Sequence, residues 1–370
     1  VAGCLIARAD DSTASEEQAA RHIDRLIQQR LEREGIVPAP QSSDAEFCRR
    51  AWLDLAGVAP PVGRLREFLQ CQDQDKRRRL IDFLVRSPQH ASHMASRWNE
   101  VLLPPDAQSQ TSQQQNVIAL HQWLRERFRE NTPYDYLVGD LLTAGGAGNA
   151  GPAIFYTSRA LEPEKLAAAS SRIFMGIQLQ CAQCHDHPFD RWIQEDFWQY
   201  AAFFSQLEQN ESARPQERFI EDRPGGEVTL PDTDTIMSPR YPGVTEPPEK
   251  DPGNIRRRQL TIWMASRENP YFARAAVNRV WDHLFGRGLV ETVDAMDADN
   301  QPSHPELLQY LADVFIEQRF NLRWLYAAIA CTDAYGRTSL AASGDRPPET
   351  SFAAMTVKTL TAEQFYDSLQ

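Results

Sequence analysis

Apolar side chains recur at intervals of three and four along most of this chain, and several of the runs are closed by glycine or proline. That pattern constrains the fold most, because a 3.6-residue period suits a half-buried helix and leaves a strand with apolar groups on both faces. Ala20, Ile23, Ile27 and Leu31 form one stripe over 16–34, ended by Gly35, with Pro38 and Pro40 beyond. Phe47, Ala51, Trp52 and Leu55 form the next over 44–56, closed by Gly57 ahead of Pro60-Pro61. Further helices are expected over 62–70, 74–86, 90–102 and 114–129. Pro163, flanked by Glu162 and Glu164, suits a first helical turn. Its helix, with the stripe Leu166, Ala169, Ile173 and Ile177, is expected to run directly into a cysteine motif. Phe197, Tyr200, Ala201 and Phe204 then give a helix with an aromatic face.

Between 209 and 254 the period vanishes and eight of the 24 prolines gather, which marks an irregular insert. Gly225–Leu230 is its best strand. Helical spacing returns near 255. Asn269-Pro270 opens a helix through Phe272, Ala276, Val280 and Leu284, ended by Gly286. Ser303 and Glu306 read as a capping box for a helix through Leu307, Leu311 and Phe315, and a further helix covers 321–332. Thr361–Gln364 is another capping box, followed by barely two turns of chain, so the natural protein is expected to continue. The expected fold is mainly α. A helical domain spans 10–208, a proline-rich linker with a small β element 209–254, and a second, C-terminally truncated helical domain 255–370. Gly145–Gly151 has neither the lysine nor the preceding strand of a phosphate loop and reads as a flexible loop.

The net charge of −12 disfavours a nucleic-acid partner. The short basic runs Lys76–Arg79 and Arg256–Arg258 read as solvated faces. No apolar run approaches the ~18 residues that a membrane span requires. Val1-Ala2-Gly3-Cys4 resembles a bacterial lipobox, which leaves two readings: a lipid anchor at Cys4 or an ordinary apolar tail. Cys48 and Cys71 are either a bridge or two separate thiols, and Cys331 reads as core.

The chemistry sits in Cys181-Ala182-Gln183-Cys184-His185. Composition alone would produce this pattern about 0.002 times in the chain. It matches the attachment signature of c-type haem, in which two thiols hold one porphyrin and the adjoining imidazole binds its iron. Zinc is the alternative, through Cys181, Cys184, His185 and His187, although four ligands within seven residues are cramped. A redox dithiol is the third reading, without the strand–helix context such motifs have. For a second axial ligand the sequence offers His304, His283 and Met175, with His187 too close to cross the ring. Arg172 or Arg191 suits a propionate, and Asp186 or Asp190 suits a histidine N–H. No nucleophile elbow or identifiable carboxylate pair points to a hydrolase. Haem attachment needs reduced thiols and export, so a periplasmic or cell-surface location and a redox partner protein are expected.

Longer segments carry a resemblance. Phe174–Asp190, Asp196-Phe197-Trp198 and Phe47–Gly57 resemble blocks of the Planctomycetes cytochrome-like family. Asn269–Trp281, Gly286–Val290 and Pro302–Leu308 are similar to the partner domain of that family, with Gln301 where proline is usual. The resemblance implies an exported protein with haem at Cys181, Cys184 and His185, and with no assigned activity. It also implies an association with polysaccharide breakdown, which fits a second reading as a metal-stabilised module of such a system or a surface scaffold.

Overall fold

The computed structural model describes residues 13–105, 114–147, 151–188, 190–210, 219–249, 253, 255–297, 299–340 and 347–369. Cys4 lies outside them. The fold is mainly helical, with two small antiparallel sheets among the described residues. The helices Asp44–Ala56, Val62–Gln70 and Gln114–Arg129 occupy the residues that periodicity assigned them. The first of these is capped by Ser43, whose hydroxyl accepts from Glu46 N, and it ends at Gly57 with φ +76°. Asn269 Oδ1 accepts from Tyr271 N and Phe272 N, which starts Phe272–Phe285.

By packing, the described chain forms two compact units. One compact unit comprises 1–93, 277–293 and 302–370; the other comprises 94–276 and 294–301. In the first unit, Thr13–Glu34 buries Ile23, Ile27 and Leu31 and packs on Leu322–Ala330 and Pro305–Glu317. Asp44–Ala56 packs on Lys76–Val85, and Trp281 stacks on Phe285 at 4.4 Å. Lys358 Nζ donates to Asp54 Oδ1 at 2.6 Å and to the carbonyls of His283 and Leu284, which capture the end of Phe272–Phe285.

In the second unit, Arg256–Met264 packs on Tyr134–Leu142, and Gln194–Ala201 packs on Pro163–Ser170. Phe203, Tyr241 and Trp263 stack in series at 5.2 and 4.6 Å. The insert supplies Phe219–Asp222, the central strand between Gly146–Ala147 and Leu207–Gln209. It also supplies the hairpin Val228–Thr229 with Ile236–Met237, whose Val228 and Met237 bury against Ala202, with Trp198 alongside.

Several expectations are corrected. Part of the glycine-rich loop, Gly146-Ala147, is an edge strand. Arg257 is no solvated cation: it is 1% exposed, with Nε and Nη2 on Asp222 at 2.9 and 2.6 Å and Nη1 on the carbonyls of Leu142 and Ala144. A bidentate carboxylate offsets the desolvation that isolated burial would cost. His304, rather than Ser303, is the residue before Pro305–Glu317, and Pro305 itself presets the first turn. For Cys48 and Cys71 the structure follows the reading of two separate thiols: Cys48 is free and buried, and burial pushes it up to about 11.

Candidate functional site

The expected helix into the cysteine motif breaks twice. Pro163–Ser170 passes into a π turn at Ser171–Met175, and Gly176 closes it with φ +68°. Insertions of this kind in helices recur at functional sites. Ile177 therefore lies beyond the helix, and the motif is carried on a short 3₁₀ segment, Leu179–Gln183, with Cys184 just after it. Leu179 and Ala182 are buried and anchor the segment, while Cys181, Cys184 and His185 are exposed. Alternation of two buried residues with two thiols is what a tight three-residue turn imposes.

The helix Gln194–Ala201 grips this turn through its backbone. Gln194 Nε2 donates to the carbonyls of Gln183 and Cys184 at 3.2 and 3.1 Å, and Trp198 Nε1 donates to Gln183 O at 3.0 Å. Asp186 Oδ1 accepts from Gln194 N at 3.0 Å. The Asp186 carboxylate thus caps the helix, and it is the Asp186 carbonyl that meets a histidine ring nitrogen. Behind the helix, the Val228–Met237 hairpin packs beside Trp198. Gln194 and Trp198 brace the turn, and the sequence reading missed them because neither carries reactive chemistry and their part depends on tertiary hydrogen bonds.

His185 Nδ1 lies 2.7 Å from Asp186 O. A carbonyl only accepts, so Nδ1 carries the proton and the neutral ring keeps its lone pair at Nε2. That is the tautomer a metal-ligating imidazole needs when its other nitrogen is held by backbone. His187 is half-buried, and its backbone N–H donates to Trp192 O at 2.8 Å.

The other expected site residues divide clearly. Arg172 is paired with Asp294 at 2.7 Å. Arg191 lies over Trp192 at 4.7 Å and donates to the Tyr271 hydroxyl. Met175 is fully buried. His283 and His304 belong to the first compact unit, whereas the motif belongs to the second. His283 Nδ1 is 3.0 Å from the Tyr326 hydroxyl. His304 Nδ1 meets Arg30 Nη1 at 3.2 Å, and burial together with that guanidinium lowers its pKa to about 4. Among the described residues, no three His, Cys, Asp or Glu side chains are grouped to hold a metal ion by themselves. None of the described helices is long and apolar enough to cross a membrane.

Residues 22–209 match the family model PSCyt2, a protein of unknown function (DUF1549). The chain belongs to the PSCyt2 family. Residues 256–370 match PSD1, a second protein of unknown function (DUF1553). The cysteine turn and the helix that grips it both lie within the PSCyt2 match, whereas the packing of each compact unit draws on both matched segments. No curated protein and no solved structure matches the chain.

Proposed function

We propose that this PSCyt2 chain carries one c-type haem and passes electrons outside the inner membrane. The observation that carries the reading is the His185 ring, exposed beside two exposed thiols, with Nδ1 committed to Asp186 O. Iron in a porphyrin already has four nitrogen ligands and asks the protein for one or two more. A single correctly protonated imidazole therefore suffices. Structural zinc asks for four protein ligands, and the described residues offer no such group.

Cys181 and Cys184 would each add S–H across one vinyl group, sulfur to one carbon and hydrogen to the other, with no leaving group and no net redox change. Once bound, the haem supplies a one-electron couple. The chain's own part is to present the thiols on a turn braced by Gln194 and Trp198 and to orient the His185 ring by giving Nδ1–H a backbone acceptor. The pairing of PSCyt2 with PSD1 supports the Planctomycetes-type reading and, with it, export to the periplasm or cell surface. A redox partner protein follows from electron transfer, and Cys4 remains the residue at which a lipid anchor would attach.

Expression alongside haem-attachment machinery tests this directly. The intact mass should exceed the polypeptide by one haem, and the Soret absorption should survive acid extraction. Both should vanish in the Cys181→Ser/Cys184→Ser variant. A colourless product with two unmodified thiols and stoichiometric zinc would replace this reading with the metal-stabilised module.

A further inference from the structure

A haem held at His185 has a second axial position on the opposite face of the ring. The ligand that fills it must come from a separate stretch of chain. The donors that sequence spacing suggested, His283 and His304, pack into the first compact unit. Within the motif's own unit, His187 is two residues from His185, and His121 Nε2 is 3.2 Å from Ser96 Oγ on neighbouring helices.

Methionine is the other side chain that binds haem iron. Five of the six methionines, Met94, Met175, Met237, Met264 and Met355, are buried at 4% exposure or less. Met296 is the exception, half-buried and in the motif's unit. Its segment, 294–301, is a short excursion of the chain between two stretches of the first unit. The excursion is fastened to the π turn that leads into the motif. Arg172 Nη1 pairs with Asp294 Oδ2 at 2.7 Å, and Met296 N donates to Gly176 O at 2.7 Å. A Cβ on Gly176 would lie 3.1 and 3.3 Å from Met296 Cγ and Sδ, so glycine there makes room for the thioether as well as for φ +68°. These two bonds hold the start of the segment against the π turn, and the Met296 thioether, unlike the five core methionines, is left partly open to solvent.

Resting on the haem reading above, we propose that Met296 is the second axial ligand, which makes the couple His185/Met296 and raises its potential relative to a bis-histidine site.

The test uses full-length holoprotein: wild type, Met296→Leu, Met296→His, and Met175→Leu as a control in the core. Ferric wild type should show the weak far-red charge-transfer absorption of thioether-ligated haem c. Met296→Leu keeps the side-chain volume and should lose that absorption, bind carbon monoxide in the ferrous state and have a lower midpoint potential. Met296→His should stay six-coordinate at a lower potential, and Met175→Leu should match wild type. An absorption and potential unchanged in Met296→Leu overturn the proposal. So does a haem-bearing wild type that lacks the absorption, while leaving haem attachment standing. A wild type without haem by mass overturns both. Wild-type protein gives a further measurement that needs no variant. Haloacetate alkylation at acid pH should modify Met296 in the apoprotein and spare it in the holoprotein, and equal modification in both would count against ligation.

Discussion

Asp222→Asn should loosen the second unit more than any other single isosteric change, because it strands a buried cation. Asp222 accepts both Nε and Nη2 of Arg257, whose side chain is 2% exposed. The remaining partners are the carbonyls of Leu142 and Ala144 and the face of Tyr156, 4.9 Å from the guanidinium carbon. None of these carries the compensating charge. Removing one partner of a buried pair costs about 3–5 kcal/mol, or about two to three and a half decades in an opening equilibrium. Arg257→Met should cost less. It removes the buried charge, Leu142 O keeps its bond from the Tyr156 hydroxyl, Ala144 O loses a partner at about 1–3 kcal/mol, and the Asp222 carboxylate, whose side chain is 19% exposed, is left to water. The double variant Arg257→Met/Asp222→Asn should then be well above the sum of the two singles in stability. Peptide-level hydrogen exchange over 207–222 and 256–264 reads this unit without assuming that the whole chain unfolds in one step. Acceleration of about a hundredfold or more in Asp222→Asn, with a coupling energy above about 2 kcal/mol, is expected. Acceleration below about fivefold with additive effects is the behaviour of an exposed pair and would refute the reasoning.

Other outcomes follow from the same geometry. His90 and His304 are buried and lowered from 6.5 to about 4, so each binds fewer protons folded than unfolded. The stability each contributes, up to about 3 kcal/mol, is full above pH 6.5 and drains as pH falls towards 4; His90→Gln should flatten that loss in denaturant titrations of the first unit, and an unchanged profile would exclude His90 as a contributor. Gly57→Ala should destabilise by more than the about 1–2 kcal/mol of left-handed strain, because its Cβ would meet His93 Nδ1 at 2.5 Å; thermal melts would show the difference. In apoprotein at pH 8, mass mapping after brief alkylation should find Cys181 and Cys184 modified. Cys48 and Cys331, which burial pushes up to about 11 and about 12, should react only after denaturation. Trp198→Phe, which removes the bond to Gln183 O, should lower the yield of haem attachment while the far-ultraviolet dichroism stays unchanged.

Helices were legible wherever an apolar stripe met a glycine or proline stop, as over 44–56 and 114–129. Tyr134–Leu142 escaped because its nine residues, with Gly139 among them, are too short to establish a period. Phe219–Asp222 escaped because a four-residue central strand of a three-stranded sheet has no room for alternation to declare itself. Arg257 misled because a run of three arginines looks solvated until a carboxylate 35 residues away closes on the middle one. At the candidate site, Cys181, Cys184 and His185 were legible because the chemistry demands contiguous residues. The bonds of Gln194 and Trp198 to the turn and the contact of Gly176 with Met296 were not, since each depends on a backbone group or a neighbour that only folding brings near.

The interleaving of the two family segments bears on how such a chain can evolve. The first helix, from the PSCyt2 segment, is covered by Leu322–Ala330 and Pro305–Glu317, both from the PSD1 segment. Gene fission in the proline-rich stretch would leave each product with an apolar stripe open to water and no lining of its own. Within the first unit, each matched segment thus serves as the other's inner lining.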